Sequence, residues 1–335
     1  MNNKVITSLF FLAVLVFFSC QNSHNIGYSM GEISSDRMSQ ESLIFEDQVK
    51  TLGETPLMRY GYGGPAEQLQ QAQGLINAGV DVLVIYPTDS YGWDDVVAEA
   101  HKENIKVIAY ERLLHYTDVD YYFSFYNQKV GYQQAEYAVK HRPTGNYILL
   151  EGPEYDYNST LLMHGQKTVL QPFIDHDQIK IVLEKQLDSW NPLDAYIEMQ
   201  SFLEKNRNLK IDAILAANDG VAGGCIMALD KVRGDWDILI TGQDASIGGL
   251  QNILDGKQSM TVYKPIKKLA TLTAECAVKL SKGEELDNIN GSINNGKKDI
   301  PALLLETIVV DTNNIRETVI ADKFVNESQL AFQKD

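Results

Sequence analysis

Short apolar runs alternate with helical periodicity along most of the chain. Residues 24–30 predict a first strand that leads into a loop. Residues 65–78 carry their apolar side chains on one helical face and begin with proline, which predicts a helix. The apolar run 80–85 predicts a strand buried on both faces, and a helix over 93–102 and a strand over 105–110 follow it. This order predicts a parallel, doubly wound α/β sheet, because strands joined by helices pair in parallel.

The same alternation restarts at Tyr147. The predicted strands are 147–151, 179–182, 211–217 and 236–241, and the predicted helices are 161–173, 192–205 and 220–231. Two such α/β units in one chain predict two lobes with a cleft between them. Sheets of this kind bind ligands at the carboxyl ends of their strands, so the residues directly after the strands are the candidates for a site.

Charged, amide and aromatic side chains recur at those positions. They are Arg37 in the loop after the first strand, and then Glu111, Arg112, Asp156, Asn158, Asp188, Trp190, Asn218, Asp219, Gln243, Asp244 and Lys264. A sugar hydroxyl both donates and accepts hydrogen bonds, so carboxylates and amides suit it, while Arg and Lys donate to sugar oxygens. An indole packs against the C–H face of a sugar ring, and Trp190 supplies one. This set indicates a sugar site.

Known catalytic, phosphate-binding and metal motifs are absent from the sequence. The histidines are scattered without ligand spacing, so we expect no metal and no cofactor. The Gly223-Gly224 pair lacks the Lys-Ser/Thr of a phosphate loop, and we interpret it as allowing close helix packing. A sugar-processing enzyme is the alternative, because glycosidases use two facing carboxylates. The cleft acids Glu111, Asp156 and Asp244 offer candidates for such a pair.

The composition and the net charge of the chain limit the kinds of molecule that it could bind. The chain has 335 residues, of which 44% are hydrophobic, and this is enough to build two domains. The 45 acidic and 29 basic residues leave a net charge of −16, which argues against nucleic-acid binding. Only three cysteines are present, too few for a disulfide scaffold. We expect Cys225 and Cys276 to be buried free thiols.

The first residues predict export. Lys4 precedes an almost wholly apolar run over 5–18, and Ser19-Cys20 ends it. This is a signal-peptide pattern, too short to remain as a membrane span. The end of the run resembles a bacterial lipobox, which predicts removal of residues 1–19 and acylation of Cys20. A plain signal peptide is the alternative. We expect a protein of the periplasm or cell envelope held by a lipid anchor, in either the inner or the outer membrane.

Several longer stretches resemble a known family. They are residues 79–85 (GVDVLVI), 105–112 (IKVIAYER), 217–224 (ANDGVAGG), 242–245 (GQDA) and 261–266 (TVYKPI). Their order and spacing resemble the periplasmic sugar-binding proteins of ABC importers, of the ribose/galactose type, and above all its xylose-binding branch. The resemblance runs from about residue 26 to the C-terminus. It implies a type I periplasmic binding protein, with two doubly wound parallel-sheet lobes joined by a three-crossover hinge.

The resemblance also implies where the lobes divide. It places the crossovers near Asn127, Lys264 and Lys298. The N-terminal lobe is then 24–127 and 265–298, and the C-terminal lobe is 128–264 and 299–335.

The same resemblance assigns residues to the ligand. The positions that would contact the sugar are Arg37, Arg112, Asp156, Asn158, Trp190, Asn218, Asp244 and Lys264. Glu111 stands where the xylose binders have Asp, Ser34 and Met163 stand where basic residues are expected, and Met38 replaces an aromatic residue. The identity of the sugar therefore stays open between D-xylose and a related aldose.

The implied function is that of a non-catalytic, monomeric, lipid-anchored binding protein. It would close on a monosaccharide and deliver it to an ABC permease. The alternative output is sensing, in which the closed form signals to the outer domain of a membrane sensor kinase.

Overall fold

A computed structural model describes residues 23–31, 33 and 36–332 of the chain. The predicted signal peptide, the predicted lipidation site at Cys20 and Ser34 lie outside these residues. The described part contains parallel sheets flanked by helices, which confirms the predicted α/β class. Within it, no helix is both long and apolar enough to cross a bilayer.

The first sheet has seven strands in the order β11-β12-β5-β4-β3-β1-β2, and every neighbouring pair is parallel except β11 with β12. The strands are β1 (Asn25–Met30), β2 (Thr55–Tyr60), β3 (Val82–Tyr86), β4 (Lys106–Tyr110), β5 (Tyr121–Phe125), β11 (Gly291–Asn294) and β12 (Asp299–Leu305). One face packs on α1 (Asp36–Thr51) and α9 (Ile266–Ser281), and the other on α2 (Pro65–Asn77) and α3 (Asp94–Lys102). We call this unit the first lobe.

The second sheet has four parallel strands in the order β7-β6-β8-β9. They are β6 (Gly145–Glu151), β7 (Ile179–Gln186), β8 (Ala213–Ala216) and β9 (Leu239–Ile240). Helices α4 (Asn127–His141) and α5 (Tyr157–Asp175) cover one face, and α6 (Pro192–Lys205) and α7 (Asp219–Val232) cover the other. The short helix α8 (Ile247–Leu254) and a C-terminal segment with a π-helical turn (Arg316–Ile320) and a 3₁₀ turn (Glu327–Gln329) complete this second lobe.

The chain passes between the two sheets three times. It leaves the first sheet between β5 and α4, near Asn127, and returns at Lys264, between β10 (Thr261–Tyr263) and α9. The third crossing was expected near Lys298, and that prediction is wrong. Strand β12 pairs with β5 in the first sheet, because its buried apolar side chains belong to the core there. The chain therefore crosses after Leu305, before β13 (Ile308–Val310) pairs with β10.

The first helix was also missed. We expected Arg37 in a loop, but it lies in the first turn of α1. The helix forms there because Phe45 and Val49, four residues apart, bury their side chains completely against the first sheet. Cys225 and Cys276 are buried and free, as predicted.

The two adjacent glycines of α7 occupy different surroundings. A Cβ at Gly224 would lie 2.2 Å from the Pro192 carbonyl oxygen and 2.9 Å from the Ala195 Cβ. A Cβ at Gly223 would meet no atom of the described residues within 4 Å. Close packing of α7 on α6 therefore depends on Gly224.

We expect Gly224→Ala to lower the free energy of unfolding by about 1–3 kcal/mol, because backbone atoms must move to relieve the clash. Its neighbour provides a matched control. Gly223→Ala should be neutral or stabilising by up to about 1 kcal/mol, since alanine favours a helix interior. Urea unfolding of both variants measures the difference, and equal losses would contradict the close packing at Gly224.

Candidate functional site

A cavity of about 360 Å³ lies between the two lobes, at the carboxyl ends of their strands. Strand order reverses there in both sheets, at β1 in the first and β6 in the second, and this is where such sheets open a crevice. The structure brings all nine residues of the predicted sugar site to this cavity: Arg37, Glu111, Arg112, Asp156, Asn158, Trp190, Asn218, Asp244 and Lys264. Of the other residues predicted at strand ends, Asp219 and Gln243 line it and Asp188 does not. Met38 also lines it, whereas Met163 does not. That these residues contact a ligand stays a prediction.

Glu111 is the centre of the charged network. Its Oε1 lies 3.1 Å from Arg37 Nη2 and 3.6 Å from Lys264 Nζ, and its Oε2 accepts a hydrogen bond of 3.1 Å from Asn158 Nδ2. Burial alone would raise the pKa of Glu111, but the nearby cations Arg37, Lys264 and Arg112 outweigh it and lower the pKa below its usual value. The carboxylate is therefore held ionised between cations.

The backbone conformation of Glu111 also positions its carboxylate. Its φ of +63° lies in the left-handed region, which is costly for a residue other than glycine. Its carbonyl oxygen accepts hydrogen bonds from Ser124 Oγ (2.7 Å), Asn158 Nδ2 (3.2 Å) and Tyr122 Oη (3.2 Å). These bonds stabilise the turn that aims the carboxylate into the cavity.

A second network joins Arg112, Asp156 and Trp190. Arg112 Nε lies 2.8 Å from Asp156 Oδ2, and its Nη1 donates to the backbone oxygen of Pro87 at 3.1 Å. Asp156 also accepts a 3.1 Å hydrogen bond from Trp190 Nε1, which fixes the indole at the cavity wall. Burial raises the pKa of Asp156 more than the Arg112 charge lowers it. Gly152 makes room for the indole, since a Cβ there would lie 2.2 Å from Trp190 Cη2.

Arg37 connects the lobes on the other side of the cavity. Its Nη1 donates to Asp244 Oδ1 of the second lobe at 2.9 Å, and its Nη2 lies 3.3 Å from Glu41 Oε1 on its own helix. Arg112–Asp156 and Glu111–Asn158 cross between the lobes in the same way. These polar contacts join the two lobes across the cleft and enclose the cavity.

Lys264 and Asn218 complete the polar wall. Lys264 is 2% exposed, and burial lowers its pKa despite the nearby Glu111 carboxylate. Asn218 caps α7, because its Oδ1 accepts a 2.8 Å hydrogen bond from the backbone nitrogen of Val221. Asp219, the next residue, accepts hydrogen bonds from the Ser246 nitrogen and from Gln258 Nε2, both at 2.8 Å.

The cavity has further walls that the sequence reasoning did not assign. Tyr86 ends β3, so the rule of strand ends would have found it. Phe324, Val325 and Gln329 come from the C-terminal segment, which follows no strand of either main sheet and gave no signal.

The electrostatics favour a neutral, hydroxyl-rich ligand. Each of the cations Arg37, Arg112 and Lys264 already lies within 4 Å of a carboxylate of the network. A charged ligand would leave one of these buried groups without its partner, at a cost of several kcal/mol (about 3–5). A neutral polyol adds hydrogen bonds to both signs of charge and breaks none of the pairs.

Comparisons with known proteins agree with this description. Residues 26–285 match the periplasmic binding protein domain family. The chain is 42% identical to the D-xylose-binding periplasmic protein of Escherichia coli K12 over 305 residues, 91% of this chain and 92% of that protein. It is 41% identical to the D-xylose-binding periplasmic protein of Haemophilus influenzae over 314 residues, 93% and 94% of the two chains.

A solved structure of a solute-binding protein is also similar to this chain. The ABC transporter solute-binding protein of Clostridium phytofermentans with bound β-D-glucose superposes with a TM-score of 0.86 at 28% identity, covering 92% of this chain and all of that chain. These matches are solute-binding proteins rather than enzymes, as the sequence predicted. Since the family model spans most of the chain and the relatives align along nearly all of it, the chain belongs to the periplasmic binding protein family and has its type I fold.

Proposed function

We propose that the protein binds a neutral aldose, D-xylose or a close relative, in the cavity between the lobes. The observation that carries the proposal is the balanced set of buried charges beside the Trp190 indole, in a cavity that both lobes enclose. The similarity to D-xylose-binding proteins supports the choice of sugar. Glu111 and Met38 differ from the xylose-binder pattern inside the cavity, so a related aldose is the competing ligand.

The binding step leads to transport. The lobes close on the sugar through contacts such as Arg37–Asp244, and the closed form is the one that an ABC permease recognises. A lipid on Cys20 would hold the protein at the membrane surface, close to that permease. The solute-binding proteins among the matched structures belong to ABC transporters, which supports this partner.

A thermal-shift screen tests the ligand class. We expect D-xylose, at about 100 times its dissociation constant, to raise the melting temperature by about 3–8 °C, because ligand binding stabilises the folded state by roughly 2.7 kcal/mol. D-xylonate and D-glucuronate should give no shift, since their carboxylates compete with buried ones. No shift with any neutral monosaccharide would refute sugar binding, and a shift with the sugar acids would refute the preference for a neutral ligand.

A pair of aspartate variants tests whether the sugar binds in the cavity between the lobes. Asp244→Ala should abolish the xylose shift, because Arg37 loses its partner across the cleft. Asp237→Ala removes a carboxylate of the same lobe that is 91% exposed and paired with Arg142, and it should keep the shift.

A further inference from the structure

Three carboxylates hold the guanidinium of Arg37. Its Nη1 donates to Asp244 Oδ1 at 2.9 Å, and its Nη2 lies 3.1 Å from Glu111 Oε1 and 3.3 Å from Glu41 Oε1. Its Nε is buried and has no acceptor among the described residues. The hydrogen bonds that orient the guanidinium therefore come from its two terminal nitrogens.

Glu41 differs from the other two carboxylates in its position. Glu111 and Asp244 line the cavity, so a sugar bound there would exchange hydrogen bonds with both. Glu41 is not among the lining residues, and its side chain is 0% exposed. Glu41 can therefore hold Arg37 while the sugar engages the other two carboxylates.

The Glu41 carboxylate is itself fixed in place. Its Oε1 also accepts a 3.2 Å hydrogen bond from Tyr110 Oη, and Tyr110 is completely buried. The Tyr110 ring packs edge-on against Tyr86, which lines the cavity, with the ring centroids 5.4 Å apart. Among the described residues, Glu41 Oε2 has no hydrogen-bond partner. The carboxylate is thus held by Tyr110 on one side and holds Arg37 on the other.

Burying a carboxyl at this position is unfavourable for folding. Burial raises the pKa of Glu41 to about 7, because it outweighs the charge of Arg37. Since this pKa lies above that of the unfolded chain, the stability from the protonated carboxyl is lost as the pH rises to about 7. At pH 8 an apolar side chain of similar volume should therefore be tolerated as well or better.

We infer that Glu41 is a positioning residue of the sugar site: it orients the Arg37 guanidinium toward Asp244 and the ligand without touching the ligand itself. The hydrogen bonds from Arg37 and Tyr110 to one buried carboxylate oxygen carry this inference. It rests on the proposed sugar binding for its effect on affinity, whereas the orientation of Arg37 does not depend on a sugar.

Glu41→Leu, measured at pH 8, separates positioning from a structural role. We expect the dissociation constant for D-xylose to rise about tenfold, the equivalent of one hydrogen bond to a charged group. The urea midpoint should stay equal or rise, whereas a structural residue would lose stability. Glu41→Gln keeps an oxygen that accepts from Arg37 and Tyr110, so its dissociation constant should rise by less than about threefold. A native xylose affinity in the leucine variant would overturn the proposal.

Glu151→Leu is the matched control. It removes another buried carboxyl, 1% exposed, from a strand of the second lobe, and Glu151 does not line the cavity. Its dissociation constant for D-xylose should stay within about twofold of the native value, because distant sites act independently. A tenfold loss in this control as well would show that any buried carboxyl has the effect, and it would overturn the assignment to Glu41.

A double-mutant cycle tests whether Glu41 acts through Arg37. In an Arg37→Met background, Glu41→Leu should change the dissociation constant for D-xylose by less than about twofold, because the group that it positions is gone. A full tenfold loss in that background would show that Glu41 acts by another route.

The NMR signal of the Arg37 Nε–H group tests the positioning without sugar, in the full chain. We expect Glu41→Leu to shift this signal and to lower its heteronuclear NOE, which reports faster motion of the side chain. Glu151→Leu should leave the signal unchanged. An unchanged Arg37 signal in Glu41→Leu overturns the positioning whether or not a sugar binds. A native chain that binds no neutral monosaccharide refutes the proposed function instead, so the two failures are distinguishable.

Discussion

Replacing Glu111 by glutamine should be the most damaging single change at the sugar site. The carboxylate is 3% exposed and lies beside Arg37, Lys264 and Asn158. The glutamine keeps the shape but removes the charge, so two buried cations lose a partner. We expect the free energy of unfolding to fall by about 3–5 kcal/mol, as when one member of a buried ion pair is removed. The affinity for D-xylose should fall about 10- to 100-fold, because hydrogen bonds to charged groups contribute roughly 1.5–3 kcal/mol.

Glu46→Gln is the matched control. Glu46 pairs with Lys50 one turn away on α1, at 2.6 Å, and both side chains are accessible to solvent. Such pairs contribute about 0.3–0.5 kcal/mol, so stability and xylose affinity should barely change. Urea unfolding and calorimetric titration measure both quantities. If the two variants behaved alike, Glu111 would not be the centre of the network.

The strand ends of the cleft could be predicted from sequence for a physical reason. A buried parallel strand is a continuous apolar run in the sequence, so the residue at which the strand ends can be read from the sequence. The polar residues that follow lie at the carboxyl edge of the sheet, where the crevice opens. Glu111, Asp156 and Asn218 were found in this way, and all three line the cavity. The contacts that cross the cleft could not be predicted in this way. Arg37 and Asp244, for example, are 207 positions apart in the sequence, and they meet only because the two lobes pack together. No local sequence pattern indicates a contact between residues so far apart in the chain.

The errors have physical causes as well. The apolar run of β12 predicts a strand but not the sheet that the strand joins, so the third crossing was misplaced. Helix α1 has a weakly amphipathic sequence, and its apolar contacts with α9 form only in the folded chain. The second cavity, lined by Tyr126, Leu161 and Leu304 among others, was not foreseen, because its walls come from segments far apart in the sequence. These features depend on tertiary packing, which overrides local propensity.

A buried carboxyl outside the site should make stability depend on pH. Glu151 ends β6 and is 1% exposed, and within the described part of the chain neither of its carboxyl oxygens has a hydrogen-bond partner. Burial, helped by the negative charge of Glu184 on the neighbouring strand, raises its pKa from 4.5 to about 8. The folded state therefore holds a proton that the unfolded state releases. The stability from this group is complete below about pH 4.5 and is lost as the pH rises to about 8.

Glu151→Leu removes this dependence. We expect the variant to be more stable than the native chain at pH 8 by on the order of 4 kcal/mol and nearly equal to it at pH 4.5, since the leucine needs no proton. The slope should become shallower rather than vanish, because burial also raises the pKa of Glu41 and of Asp219 to about 7. Glu285→Leu, at an exposed loop position, should leave the slope unchanged. Urea unfolding between pH 4.5 and 8 measures the difference, and parallel curves for the native chain and Glu151→Leu would show that Glu151 is ionised in the folded state.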